Sequence, residues 1–112
     1  MSPITTHILD INKGKPAKDV EISLEFKQGE SWEKVGSGKT DADGRLKTLQ
    51  SKDNFKAGVY RINFDTQSYF NSINEKTFYP EASIVFIVEN IDEHFHVPLL
   101  LTAYGYSTYR GS

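Results

Sequence analysis

The chain contains no cysteine, and only one methionine and one tryptophan, among its 112 residues. Without cysteine it has no disulfide, no thiolate nucleophile and no cysteine-ligated zinc. The formal net charge is -2, so the composition gives no basic surface for nucleic acids or anionic membranes. The longest apolar runs, such as residues 84–88, are too short to span a bilayer. We therefore expect neither a nucleic acid nor a membrane as a partner.

The length and the first residues indicate the organisation of the chain. A chain of 112 residues can form one hydrophobic core and is too short for two, so we expect a single domain over residues 1–112. A secretion signal has a basic segment followed by an apolar run, and residues 1–7 do not show this pattern. We therefore expect a cytoplasmic protein.

Apolar residues recur along the chain with a period of two rather than 3.6. Two clear alternations predict strands with one face in a core, and the continuous apolar run at 84–88 predicts a strand covered on both faces. Further strands are predicted at 95–101 and 4–11, and a weaker pattern predicts one at 32–39. Asp65 with Thr66 predicts the start of a short helix. Together with the turn signals between them, these elements predict an all-β sandwich. The alternating residues are Val20, Ile22, Leu24, Phe26, Tyr60, Ile62 and Phe64.

The histidines lie on strand faces that point away from the predicted core. His94 and His96 are two residues apart and share a face opposite Phe95 and Val97. That face carries little charge, which favours contact with another subunit or a ligand. His7 lies in the first strand, and periodicity alone does not decide whether it meets His96.

Three interpretations of these histidines stay open from spacing alone. They could ligate zinc, act as acid–base catalysts near neutral pH, or form hydrogen bonds within a sandwich surface. A nearby segment, residues 41–44, has a weak resemblance to a calcium loop. Lys39 and Gln50 would occupy the first and last ligand positions of that loop, and neither is suitable. We therefore predict a turn that presents Arg45.

The end of the sequence is rich in groups that can hold a ligand. Tyr109, Arg110, Gly111 and Ser112 follow the last apolar strand after a short connection. Guanidinium and carboxylate groups bind small, planar, polar molecules through paired hydrogen bonds. We expect these residues to occupy a fixed position in a site rather than to move freely in solvent.

Five segments together identify a resemblance to a known family. They read THILD at 6–10, GKPA at 14–17, TDADGR at 40–45, EHFHVPLLL at 93–101 and YGYSTYRGS at 104–112. These motifs cover essentially the whole chain and resemble the 5-hydroxyisourate hydrolases, the transthyretin-related enzymes of urate breakdown. Transthyretin itself, a hormone carrier, lacks the terminal motif and these histidines.

The resemblance implies a fold, an assembly and a set of site residues. The implied fold is a transthyretin-like, or prealbumin-like, sandwich of two four-stranded sheets with one short helix. The implied assembly is a homotetramer with its active sites at the dimer–dimer interface. His94 is not among the family's catalytic residues. The implied catalytic residues are His7, Arg45 and His96, and the implied substrate-binding residues are Tyr109, Arg110, Gly111 and Ser112.

The resemblance also implies a reaction. A neutral imidazole would activate water to open the ring of 5-hydroxyisourate, an oxidised purine, and a guanidinium would stabilise the oxyanion. The product would be 2-oxo-4-hydroxy-4-carboxy-5-ureidoimidazoline, formed without a metal ion or other cofactor. The alternative is a non-catalytic transthyretin-like carrier of a small ligand, which would use the same sandwich without chemistry.

Overall fold

The computed structural model describes residues 2–111 and shows two β-sheets that pack face to face. The all-β sandwich predicted from the sequence is confirmed, as is the single short α-helix. A short 3-10 turn covers Lys52–Asn54. In chain order, the elements are β1 (Ile4–Asp10), β2 (Lys15–Pro16), β3 (Glu21–Gln28), β4 (Ser31–Lys39), β5 (Arg45–Leu46), β6 (Gly58–Phe64), α1 (Thr66–Ser72), β7 (Ala82–Val88), β8 (Phe95–Thr102) and β9 (Gly105–Thr108).

The first sheet has β1 and β8 at its centre, paired in parallel. On one side β9 runs antiparallel to β8. On the other side β2 pairs with the end of β1 and β5 pairs with its middle, so two short strands share one edge. The sheet is therefore four strands wide, because β2 and β5 lie one after the other along the same edge of β1. The second sheet has four antiparallel strands in the order β4, β3, β6, β7.

The core lies between the sheets and follows the alternation seen in the sequence. In β3 the inward residues Ile22, Leu24 and Phe26 are buried, and their neighbours are more exposed. Strand β6 repeats the pattern with Tyr60, whose hydroxyl donates to the carbonyl oxygen of Lys56 at 2.6 Å. Burial of such side chains contributes about 1.5–3 kcal/mol each, which fixes the register of every strand that faces the core.

Strand β7 corrects one expectation. The apolar run at 84–88 was expected to be covered on both faces, but Val85 is 57% exposed and Ile87 is 64% exposed. The reason is that β7 is an edge strand of the second sheet and packs on the core through only one face. An apolar run in the sequence therefore does not distinguish a strand covered on both faces from an edge strand whose outer face is exposed.

The helix is capped at its start and is hydrogen-bonded to the end of the first strand. Asp65 caps α1, because its carboxylate accepts a hydrogen bond from the Ser68 amide at 3.1 Å. Within the helix, the Tyr69 hydroxyl donates to the carboxylate of Asp10 at 2.7 Å, and Asp10 is completely buried at the end of β1. Burial, and to a smaller extent this hydrogen bond, raises the pKa of Tyr69 well above its usual value.

Among residues 2–111, no helix has the length and apolar character needed to cross a membrane.

Candidate active site

A tight turn presents Arg45, as the sequence predicts. The carboxylate of Asp41 accepts hydrogen bonds from the amides of Asp43 and Arg45, at 2.9 and 3.0 Å. The hydrogen bond from the Arg45 amide is the main cause that lowers the pKa of the Asp41 carboxyl. Arg45 then enters β5, where its side chain is exposed. The segment is therefore a turn that leads Arg45 into the first sheet with its side chain exposed.

Glycine is required at the last position of that turn. Gly44 has a φ of 75°, in the left-handed region that favours glycine. A Cβ atom on this residue would lie 2.5 Å from the carbonyl oxygen of Ile8. The close approach lets the Ile8 amide donate to the Gly44 carbonyl at 2.8 Å, which brings β5 against β1. Arg45 consequently pairs directly with His7 in the antiparallel register.

The parallel pairing of β1 with β8 decides that His7 and His96 lie close together. In this register Thr5 lies beside His96, and His7 lies beside Pro98. The two histidines therefore occupy the same outer face on neighbouring strands, offset by two residues. Both are half-buried, and neither belongs to the inward apolar row.

The imidazole of His96 is held in a defined orientation. The Thr5 hydroxyl lies 2.9 Å from His96 Nδ1 and 3.1 Å from His94 Nε2. Burial lowers the pKa of His96, and the positive charge of Arg45 lowers it further, with smaller effects from His94 and His7. The lowered pKa favours the neutral imidazole, which is the state that a general base requires.

The terminal segment folds back onto the same face. Strand β9 pairs with β8, and the Gly111 amide donates to the His96 carbonyl at 2.8 Å. A Cβ atom on residue 111 would lie 2.6 Å from His96 Cδ2, so the backbone of Gly111 packs directly on the imidazole. The sequence placed Gly111 in the terminal motif but gave no indication of this contact with the ring.

The side chains of Tyr109 and Arg110 are both exposed. The guanidinium of Arg110 forms a 3.0 Å ion pair with Glu93 and lies 4.6 Å from the centre of the Phe95 ring. Tyr109 is exposed, with 58% of its surface accessible. Ser112 lies outside the described residues, so its part in the site stays a prediction.

The resulting arrangement places two imidazoles and a guanidinium on one face of a rigid sheet. Among residues 2–111 there is no group of three or more His, Cys, Asp or Glu side chains positioned to hold a metal ion. The cluster lies on an open sheet face. Large concave spaces occur elsewhere, including a 610 Å³ cleft lined by Glu21, Asn63 and Glu81 on the second sheet. Chemically, the cluster can accept a proton, donate one and stabilise a developing oxyanion.

The sequence reasoning missed Thr5 as part of this cluster. Thr5 is 8% exposed, and its hydroxyl lies between the rings of His94 and His96. Its position two residues before His7 placed it on the outer face of β1. No pattern in the sequence indicated that β8 would lie beside it, so the contact could not be found before the fold was known.

Comparison with known proteins gives a consistent result. Residues 4–111 match the model of the HIUase/Transthyretin family. The 5-hydroxyisourate hydrolase of Salmonella typhimurium is 48% identical over 109 residues, which cover 97% of this chain and 80% of that protein. The 5-hydroxyisourate hydrolase of Caulobacter vibrioides is 41% identical over 116 residues and is matched along the full length of both chains.

Solved structures share the fold. The 5-hydroxyisourate hydrolase of Klebsiella pneumoniae superposes with a TM-score of 0.84 and 35% identity, covering 97% of this chain and 98% of that one. The transthyretin of sea bream, in complex with thyroxine, superposes with a TM-score of 0.93 and 33% identity, covering 97% and 94%. A 5-hydroxyisourate hydrolase and a transthyretin that binds thyroxine thus share this fold, and the fold alone does not separate them.

The lowered pKa of His96 leads to a prediction about pH. We expect NMR titration of the His96 ring to give a pKa below the ordinary value of 6.5. Between that lowered pKa and about 6.5, the unfolded chain binds more protons than the folded chain, so the free energy of unfolding decreases as the pH falls. In His96→Asn this part of the pH dependence should disappear. A folded-state pKa at or above 6.5 would contradict the prediction.

Proposed function

Because the chain belongs to the HIUase/Transthyretin family, we propose that His7, Arg45 and His96 hydrolyse 5-hydroxyisourate by activating a water molecule without a metal ion. The activity follows from similarity, since relatives with up to 48% identity over most of the chain carry this name. The chain is thus an enzyme that hydrolyses 5-hydroxyisourate in urate degradation. We propose that residues 1–112 form one catalytic domain.

The observation that carries the proposed mechanism is the placement of three functional groups on one face by β1, β5 and β8. His7 lies directly opposite Arg45, and His96 lies on the same face one strand away. The carrier alternative requires none of these groups. It is also less consistent with the relatives, because the matches at the highest identity given above are hydrolases and not carriers.

The proposed reaction begins with water next to a neutral imidazole. His96 takes a proton from water as the oxygen attacks a ring carbonyl carbon of the substrate. The guanidinium of Arg45 stabilises the negative charge that develops on the carbonyl oxygen. The carbon–nitrogen bond then breaks and the nitrogen leaves with a proton, which gives the ring-opened 2-oxo-4-hydroxy-4-carboxy-5-ureidoimidazoline. His7 orients the water or supplies the proton to the leaving nitrogen.

The charge of the cluster supports a mechanism without metal. A metal ion would have to share the face with the Arg45 guanidinium, which carries a permanent positive charge. The same charge favours an oxyanion, because the guanidinium attracts negative charge that appears only during the reaction. Water activation by imidazole therefore fits these residues better than activation by a bound cation.

The terminal segment supplies the proposed substrate-binding residues Tyr109, Arg110, Gly111 and Ser112. Gly111 already lies against the His96 ring. The ion pair between Arg110 and Glu93 is exposed, with side chains 56% and 50% accessible. Exposed ion pairs contribute about 0–1 kcal/mol and exposed cation–π contacts about 0.5–1 kcal/mol, so Arg110 can leave Glu93 and the Phe95 ring to bind the polar edge of a substrate at modest cost.

A homotetramer with its sites at the dimer–dimer interface is part of the same proposal. The catalytic cluster lies on an open sheet face, and a small ligand needs a concave site that surrounds most of its surface. A second copy of the chain facing the first sheet would provide the missing wall. The exposed Val85 and Ile87 of β7 give a further apolar surface for association. The cytoplasmic location stays a prediction.

The first test of the mechanism uses substrate generated in place from urate, with its ultraviolet decay followed in the presence of each variant. We expect His7→Asn and His96→Asn to lower kcat by about 100- to 10,000-fold, the usual contribution of acid–base catalysis.

Arg45→Lys keeps the positive charge and loses the planar guanidinium that can form two parallel hydrogen bonds, so its kcat should also fall well below that of the wild type.

The control for Arg45 is Arg61→Lys, since Arg61 pairs with Glu25 on the second sheet and has no role in the cluster. Circular dichroism should show folded protein for every variant. Near wild-type turnover in His96→Asn would remove His96 from the mechanism.

The contact between Gly111 and His96 predicts the effect of a single methyl group. In Gly111→Ala, the new Cβ would have to lie 2.6 Å from His96 Cδ2, so the ring or the terminal segment must move. We expect a large loss of kcat with little change in Tm. The matched control is Gly105→Ala in β9, where the nearest atom to the new Cβ is Thr102 Oγ1 at 3.7 Å. Equal activity of the two variants would contradict a catalytic position for Gly111.

The assembly can be measured directly. Light scattering of the purified protein should give four times the 12.7 kDa mass of one chain. A charge at the exposed position 85, as in Val85→Glu, should weaken association without disturbing the core. A stable monomer with full activity at assay concentration would rule out a site shared between subunits.

A further inference from the structure

The hydroxyl of Thr5 connects two imidazoles of different exposure. It lies 2.9 Å from Nδ1 of His96 and 3.1 Å from Nε2 of His94. The two rings are nearly parallel, at 16°, with centres 6.4 Å apart. His96 is half-buried in the catalytic cluster, whereas His94 is exposed in the segment before β8. Thr5 therefore links the candidate base to a second titratable group that reaches solvent.

We propose that His94, Thr5 and His96 form a proton relay, in which Thr5 passes to His94 the positive charge that His96 acquires when it deprotonates water. The proposal rests on the proposed function, because it assumes that His96 acts as the base. Thr5 and His94 are positioning residues in this scheme, since both act through His96.

The hydrogen-bonding capacity of a hydroxyl couples the two rings. A hydroxyl has one proton to donate and lone pairs to accept. When Thr5 accepts from His96 Nδ1–H, its own proton is free to bond Nε2 of His94. In this arrangement Nε2 of His96 carries the lone pair and can accept a proton from water. The same hydroxyl therefore fixes the tautomer that catalysis requires.

The relay can be written with every proton accounted for. Water gives a proton to His96 Nε2, His96 gives its Nδ1 proton to Thr5, and Thr5 gives its hydroxyl proton to His94 Nε2. His96 is then neutral with a proton on Nε2, Thr5 is again a hydroxyl, and His94 carries the positive charge. In this scheme His7 orients the water, so His96 next donates its Nε2 proton to the leaving nitrogen, and the relay runs back to restore the starting state.

The surroundings of the two rings explain why the charge should move. The titratable or charged groups that face His96 are Arg45 from β5, His7 from β1 and His94 itself, and all three oppose a positive charge on the half-buried ring. His94 is exposed to water, which solvates an imidazolium well. Transfer through Thr5 thus moves the charge away from the guanidinium that must stabilise the oxyanion.

The central test compares Thr5→Val with Thr5→Ser. Valine replaces the hydroxyl with a methyl group of similar size, and serine keeps the hydroxyl. We expect Thr5→Val to lower kcat about tenfold or more with little change in KM or Tm, and Thr5→Ser to retain most of the activity. In ¹⁵N NMR spectra of the free protein, His96 should carry its proton on Nδ1 in the wild type and lose this preference in Thr5→Val.

Two further variants separate the relay from a structural role. Thr6→Val is the matched control, because the Thr6 hydroxyl bonds the Val97 carbonyl on the inner face. It should lower Tm without lowering kcat. His94→Gln should lower kcat about as much as Thr5→Val, and the double variant should show no additional loss, as expected when two residues act as one unit.

The outcomes distinguish this proposal from the proposed function. If the wild-type protein does not hydrolyse 5-hydroxyisourate, the proposed function fails, and the NMR comparison still tests the coupling between the rings. If the wild type is active and Thr5→Val is equally active, the relay alone fails. An equal loss in Thr5→Val and Thr5→Ser, or additive losses in the double variant, would also overturn it.

Discussion

The parallel pairing of β1 with β8 is the contact on which the candidate site depends. It joins residues 91 positions apart in sequence and places Thr5 beside His96 and His7 beside Pro98. Strand β5 then adds Arg45 beside His7, and β9 brings Gly111 back to His96. A shift of this register by one residue would turn His7 towards the core and remove it from the cluster.

The site combines a permanent cation with the imidazole of His96, whose pKa is lowered by burial and further by that cation. Arg45 lies on the same face as His96, so a proton on the half-buried ring is disfavoured by both burial and charge. Both effects favour the neutral ring, which can accept a proton from water, while the guanidinium is ready for an oxyanion. Two glycines make this density of groups sterically acceptable, because Gly44 lets β5 approach β1 and Gly111 lets the terminal segment lie on the ring.

Much of the fold could be predicted from the sequence, because each sheet has one buried face and local patterns record that burial. The alternation through Ile22 and Leu24 gave β3, the weaker pattern at 32–39 gave β4, and Asp65 gave the start of α1. The prediction that the strand at 84–88 is covered on both faces is wrong for this chain. An apolar run in the sequence is the same whether its outer face is covered by an element of the same chain or by another copy of the chain.

The sequence by itself determined the strands, the turn that presents Arg45, the outward direction of His7 and His96, and through its motifs the family. These properties depend on neighbouring residues and on a period of two. Only the tertiary structure decided that His7, Arg45 and His96 share one face, that Thr5 connects two imidazoles, and that Gly111 packs on the ring. Strand order and register are set by packing between distant segments, and no local pattern encodes which strand lies beside which.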